Sequence, residues 1–136
     1  MVHFLDESGC QKLCDFLADS PQSPVRKYTR DGEDIDAVID VRAVFQQAHR
    51  DLAIAAMPAL LLPRKGRYGL QDYEKIFCAD RKNGQNNGQD IFEMRGIDRD
   101  AGCMVVVRPD QYIAQVLPLD GHEKLAAYFD RFMLRD

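Results

Sequence analysis

The sequence has no excess of basic residues, no long hydrophobic run and no segment that resembles a secretory signal. Its 136 residues contain 18 Lys and Arg against 22 Asp and Glu, which is a formal net charge of −4. This balance argues against nucleic acid as a partner, because binding to a phosphate backbone depends on clustered positive charge. The longest apolar stretch, residues 52–63, is shorter than the roughly 17–25 residues of a transmembrane helix. We therefore expect a cytoplasmic protein that binds no membrane.

The sequence also lacks the motifs that hold nucleotide cofactors or build common active sites. Its glycines form neither a G-x-G-x-x-G fingerprint nor a G-x-x-x-x-G-K-[ST] phosphate loop, and there is no G-x-S-x-G elbow. The three histidines, His3, His49 and His122, are too far apart to form a recognisable zinc motif. From the residues alone we predict no catalytic, cofactor-binding or metal-binding side chain.

Four cysteines are present at positions 10, 14, 78 and 103, and none of them belongs to a C-x-x-C motif. Cys10 and Cys14 are four residues apart, so they share one face of a helix. A reactive thiol needs a setting that lowers its pKa, such as the N-terminus of a helix. We favour buried, unreactive thiols, and a thiol redox protein of the thioredoxin or peroxiredoxin kind is the alternative function.

Two other segments allow two interpretations each. Asp34, Asp36 and Asp40 form an acidic cluster that lacks the spacing of a calcium loop, so we favour a solvated loop edge over a cation site. Residues 54–62, IAAMPALLL, are too apolar for an ordinary exposed loop. This segment packs either as a helix of the fold itself or as an exposed contact surface.

Hydrophobic periodicity predicts an α/β domain. We expect a first helix from Ser8 to Asp19, an extended segment over 25–29, strands over 37–45 and 72–79, a polar loop over 81–90 and a short helix over 90–96. Strands over 103–108 and 112–117 should form a hairpin around Pro109-Asp110, with Arg108 and Asp110 placed to pair. The last helix has an apolar stripe at Leu125, Tyr128, Phe129, Phe132 and Met133.

This order of elements predicts a single thioredoxin-like domain over residues 1–136. In this fold a central mixed sheet is flanked by helices, and a C-terminal β-hairpin precedes the last helix. We expect Val105, Val106 and Val107 to be buried on both faces of that sheet. Residues 1 to about 24 are predicted to form an N-terminal helical arm.

Several motifs closely resemble the C-terminal segment of FAD-dependent phenol hydroxylases, including enzymes of the 3-hydroxybenzoate 4-hydroxylase type. The most specific is VVVRPDQY at residues 105–112. The stretch YTRDGEDIDAVIDV at residues 28–41 and the later FEMRGID at residues 92–98 are similar to the same family. The similarity covers essentially the whole chain.

The resemblance implies a non-catalytic, thioredoxin-like dimerisation domain of an aromatic monooxygenase. In such enzymes FAD, NADPH and the aromatic substrate are bound by preceding domains, and the matching residues are absent here. The resemblance therefore implies no cofactor in this chain alone and no hydroxylase activity of its own. It also implies that the chain is a detached domain whose partner is a second copy or a flavin-binding catalytic domain.

Overall fold

The computed structural model describes residues 2–4, 7–79 and 91–134, which form a small mixed α/β domain. The helices are α1 (Glu7–Asp19), α2 (Pro24–Tyr28), α3 (Ile91–Arg95) and α4 (His122–Phe129). The strands are β1 (Val2–Phe4), β2 (Ala43–Phe45), β3 (Arg64–Lys65), β4 (Leu70–Gln71), β5 (Ile76–Cys78), β6 (Cys103–Val107) and β7 (Ile113–Leu117). None of the helices in these ranges is long and apolar enough to cross a membrane.

Five strands form one mixed sheet in the order β5-β2-β1-β6-β7. β1 pairs in parallel with β2 and β2 in parallel with β5, whereas β6 is antiparallel to both β1 and β7. β3 and β4 form a separate two-stranded hairpin. A central strand with a parallel neighbour on one side and an antiparallel hairpin on the other is consistent with the predicted thioredoxin-like fold.

The core lies where α1 packs against the sheet. Leu13 and Leu17 recur at helical spacing on the buried face of α1, and they belong to one cluster with Phe45 of β2 and Met104 of β6. Leu61, the last residue of the second of two short 3-10 turns, is completely buried in the same cluster. Burial of these apolar side chains is the main term that stabilises the domain.

The N-terminal segment differs from the prediction of a helical arm over residues 1–24. Val2–Phe4 is a strand at the centre of the sheet, and α1 lies against the core. The extended conformation predicted over residues 25–29 is also wrong, because Pro24–Tyr28 is a helix. Ser23 begins this helix: its Oγ accepts a hydrogen bond from the Arg26 N–H at 3.4 Å, and Pro24 occupies the first turn.

The other elements are close to the prediction but shorter. The strand predicted over 37–45 is limited to Ala43–Phe45, and the one over 72–79 to Ile76–Cys78. α4 ends at Phe129, after which the chain tightens into i→i+3 turns and leaves Phe132 56% exposed. The expected burial of three valines on both faces of the sheet is wrong, because burial along β6 decreases toward the turn: Val105 and Val106 are half-buried and Val107 is 37% exposed. The predicted loop over 81–90 lies outside the described residues.

Candidate functional site

Three of the four cysteines are buried as predicted, whereas Cys78 in β5 is only half-buried. Cys10 and Cys14 lie one turn apart on α1 and are 2% and 1% exposed. A hydrogen bond with Cys10 and burial raise the pKa of the Cys14 thiol far above its ordinary value. Burial likewise raises the pKa of Cys103 in β6. Because the thiolate is the reactive form of cysteine, these environments oppose thiol redox chemistry.

A cluster of five charged side chains joins segments that are far apart in the sequence. We call Asp36, Asp40, Lys65, Asp72 and Lys75 the ion-pair cluster. The Lys75 side chain is buried, and its Nζ lies 2.6 Å from Asp36 Oδ2 and 3.8 Å from Asp72 Oδ2 and also contacts Asp40 Oδ1. Lys65 Nζ lies 2.7 Å from Asp36 Oδ2 and 3.3 Å from Asp72 Oδ2.

The ion-pair cluster corrects the prediction that the acidic residues after position 33 form a solvated loop edge. The Asp36 side chain is only 9% exposed, and Asp40 is paired with both Lys75 and Arg42. Asp34 is also engaged, since its carboxylate accepts hydrogen bonds from the Gly66 N–H at 3.0 and 3.1 Å. These contacts fasten the 34–40 loop to the β3–β4 hairpin and to the segment that leads into β5.

Burial of the Asp36 and Asp40 carboxyls by itself would raise their pKa values. Hydrogen bonds from the lysines outweigh that effect, so the pKa of each carboxyl lies below its ordinary value. Lysine Nζ atoms thus lie where a bound cation would otherwise compensate these carboxylates. Among the described residues, no group of three or more His, Cys, Asp and Glu side chains is arranged to hold a metal ion. The arrangement is a structural connection between loops.

The β6–β7 hairpin is built as the sequence predicts. The Arg108 N–H donates to the Tyr112 carbonyl at 2.9 Å, and the Gln111 N–H donates to the Arg108 carbonyl at 2.9 Å. Gln111 completes the turn in the left-handed region, at φ 69°. The expected pair is present, with Arg108 Nη2 2.7 Å from Asp110 Oδ2, but both side chains are largely exposed. An exposed pair of this kind contributes little stability.

Two groups of exposed apolar side chains are the candidate interaction surfaces. The β7 surface consists of Val107, Tyr112, Ile113 and Val116, which are 37%, 72%, 51% and 57% exposed. The β3–β4 surface consists of Tyr68, Leu70 and Tyr73, which are 73%, 70% and 61% exposed. Neither surface is recognisable from the sequence, because exposure along a strand depends on what packs against it.

The apolar segment 54–62 contains both buried and exposed residues, so each of the two interpretations holds for a part of it. It forms two 3-10 turns, Ile54–Ala56 and Ala59–Leu61. Leu60 and Leu61 are buried in the core, whereas Ile54 is 47% exposed. The core thus takes up Leu60 and Leu61, whereas the first turn, Ile54–Ala56, is exposed. A charge at Leu61 would disrupt folding before it could report on a contact surface.

The family described as phenol hydroxylase, C-terminal dimerisation domain, matches residues 5–136. The chain belongs to this family. A 3-hydroxybenzoate 4-monooxygenase from Comamonas testosteroni is 57% identical over 127 residues, which are 93% of this chain and 19% of that protein. An FAD-dependent monooxygenase from Aspergillus terreus is 34% identical over 116 residues, which are 84% of this chain and 18% of that protein.

These comparisons confirm the resemblance that the VVVRPDQY motif and its neighbours indicated. The chain spans less than a fifth of the length of the two relatives. In a dimerisation-domain family the candidate site is a surface, and the two exposed apolar surfaces described above suit such a role.

Proposed function

We propose that this chain is the dimerisation domain of an FAD-dependent aromatic hydroxylase and that its own function is self-association. The observation that carries the proposal is the family match over residues 5–136, to a family described by its dimerisation. The 57% identity to a 3-hydroxybenzoate 4-monooxygenase supports a hydroxybenzoate or related phenol as the substrate of the whole enzyme. FAD and NADPH would bind outside this chain.

The chemistry of the described residues supports a role in association. The buried, raised-pKa thiols do not favour the alternative of a thiol redox protein. All four cysteines are thiols outside any disulfide, which suits a reducing compartment such as the cytoplasm. A flavin-binding catalytic domain is the second partner that we propose, since domains within one chain commonly share interfaces of about 600–1,500 Å².

Sedimentation equilibrium of the purified chain tests self-association. We expect the average mass to rise from that of the 15.5 kDa monomer to that of a dimer as the concentration increases. A range from about 1 to 100 µM covers the dissociation constants expected for a modest interface. A monomer across that whole range would contradict the proposed function.

A flavin titration tests the expectation that this chain binds no cofactor. We expect no change in the absorbance or fluorescence of added FAD, because the chain has none of the glycine motifs that receive a dinucleotide. Stoichiometric FAD binding by the isolated chain would contradict this expectation and would not bear on the dimer.

A further inference from the structure

β7 is a sheet edge that carries no charged side chain to oppose pairing with another strand. In the described part of the chain β7 pairs with β6 alone, so its other side carries backbone N–H and C=O groups that no described strand meets. Natural edge strands are protected from pairing with another chain by charged side chains, by proline, by bulges or by short length. From Gln111 to Leu119 there is no charged residue. The bulge at Ala114 and the proline at position 118 limit the open part of this edge to residues 115–117.

The geometry of β7 defines which residues can pair. Val106 pairs with Gln115 and Val107 with Ile113, which leaves Ala114 as a bulge. Residues 115–117 form the regular part of the strand, and Pro118, which has no N–H, follows it. Val116 is the exposed side chain in this regular part, at 57%.

Charge distinguishes the two candidate surfaces as sites for a second copy. In a two-fold contact each side chain near the axis meets its own copy, so a charged surface repels itself. The β3–β4 hairpin carries Arg64 and Arg67 in addition to Lys65, which is paired with Asp36 and Asp72. The β7 surface has a neutral strand, and its charged neighbours Arg108 and Asp110 compensate each other at 2.7 Å. A second copy is therefore the occupant that suits β7.

We propose that two copies of this chain pair through β7, antiparallel to each other, with the two-fold axis at Val116. This inference rests on the proposed function, since it names the surface that self-association uses. Val116 then lies opposite Val116 of the partner subunit, and the two five-stranded sheets become continuous. Because a stable dimer buries about 1,200–2,000 Å² in total, side chains beside the strands must contribute. Val107, Tyr112 and Ile113 extend the exposed apolar surface for that purpose.

Opposite charges at Val116 provide the test. In Val116→Lys or Val116→Glu alone, like charges face each other across the axis, and we expect dimerisation to weaken by about tenfold or more. An equimolar mixture of the two variants should form a heterodimer at wild-type concentrations. The matched control is Leu70→Lys, at a position that is 70% exposed on the β3–β4 surface, and it should leave the dimer unchanged. Sedimentation equilibrium on the full chain measures all four samples.

The outcomes separate the two proposals. A wild-type dimer that persists in Val116→Lys, or that Leu70→Lys weakens equally, would overturn pairing through β7 but leave the proposed function intact. A wild-type chain that never dimerises would overturn the proposed function itself. Amide hydrogen exchange gives a readout without a substitution. Protection of residues 115–117 should increase with wild-type concentration as dimer forms, and protection that stays constant while dimer forms would overturn the β7 pairing.

Discussion

Replacement of Lys75 by methionine tests the ion-pair cluster. Lys75 is 3% exposed, and its Nζ contacts Asp36, Asp40 and Asp72. Methionine is similar in length and keeps the apolar packing of the stem, so Lys75→Met removes the charge with little change in volume. The carboxylates then lose their buried cation, and the loss of their electrostatic compensation should destabilise the domain.

The expected magnitude follows from what remains after the substitution. Removal of one partner from a buried ion pair costs about 3–5 kcal/mol. Asp36 keeps Lys65 at 2.7 Å, and Asp40 is 39% exposed and keeps Arg42 at 2.8 Å. We therefore expect a decrease of about 2–3 kcal/mol in the free energy of unfolding, out of a total of about 5–15 kcal/mol for a typical domain. The melting temperature should fall by about 6–10 °C.

Urea unfolding followed by circular dichroism measures this decrease. The matched control is Lys124→Met on the exposed side of α4, which should change stability by less than about 0.5 kcal/mol. Addition of Asp36→Asn to Lys75→Met removes part of the uncompensated charge. The double variant should therefore lose less free energy of unfolding than the two single variants lose in sum. If Lys75→Met were as stable as the control, the buried ion pairs would not contribute to stability and the reasoning would be refuted.

Three further predictions concern acid, a helix cap and the thiols. The pKa of Asp36 is lowered by its lysines despite burial, so its stabilising effect is present above the ordinary carboxyl pKa and is lost as pH falls through the lowered value. Urea midpoints measured from about pH 5 to pH 2 should therefore decrease more in the wild type than in Lys75→Met. Ser23→Ala removes a buried hydroxyl that donates to a main-chain carbonyl of α1 at 2.6 Å, and urea unfolding should show a loss of about 1–2 kcal/mol. Cys10 and Cys14 should react with an aromatic disulfide reagent only as fast as the domain unfolds, and rapid labelling in native buffer would contradict their burial.

Local sequence was enough to predict an element where neighbouring residues determine the backbone conformation. Pro109 and Asp110 favour a tight turn between two β-branched runs, and the β6–β7 hairpin forms there. Gly96 ends α3 at φ 61°, a conformation that other residues rarely adopt, and the predicted short helix has this end. The VVVRPDQY motif also indicated the family, without knowledge of any tertiary contact.

Tertiary structure decided the features whose partners are distant in the chain. Val2–Phe4 is too short to show a periodic pattern, and it is a strand because β2 and β6 supply its hydrogen bonds. Asp36 and Lys75 are separated by 39 positions, so no local spacing could show that they pair. The exposure of Val116 depends on which elements cover its face of the sheet, and its open backbone edge depends on β7 being the last described strand. Side-chain type and local backbone preference are encoded residue by residue, whereas burial, ion pairing and sheet edges arise only when distant segments meet.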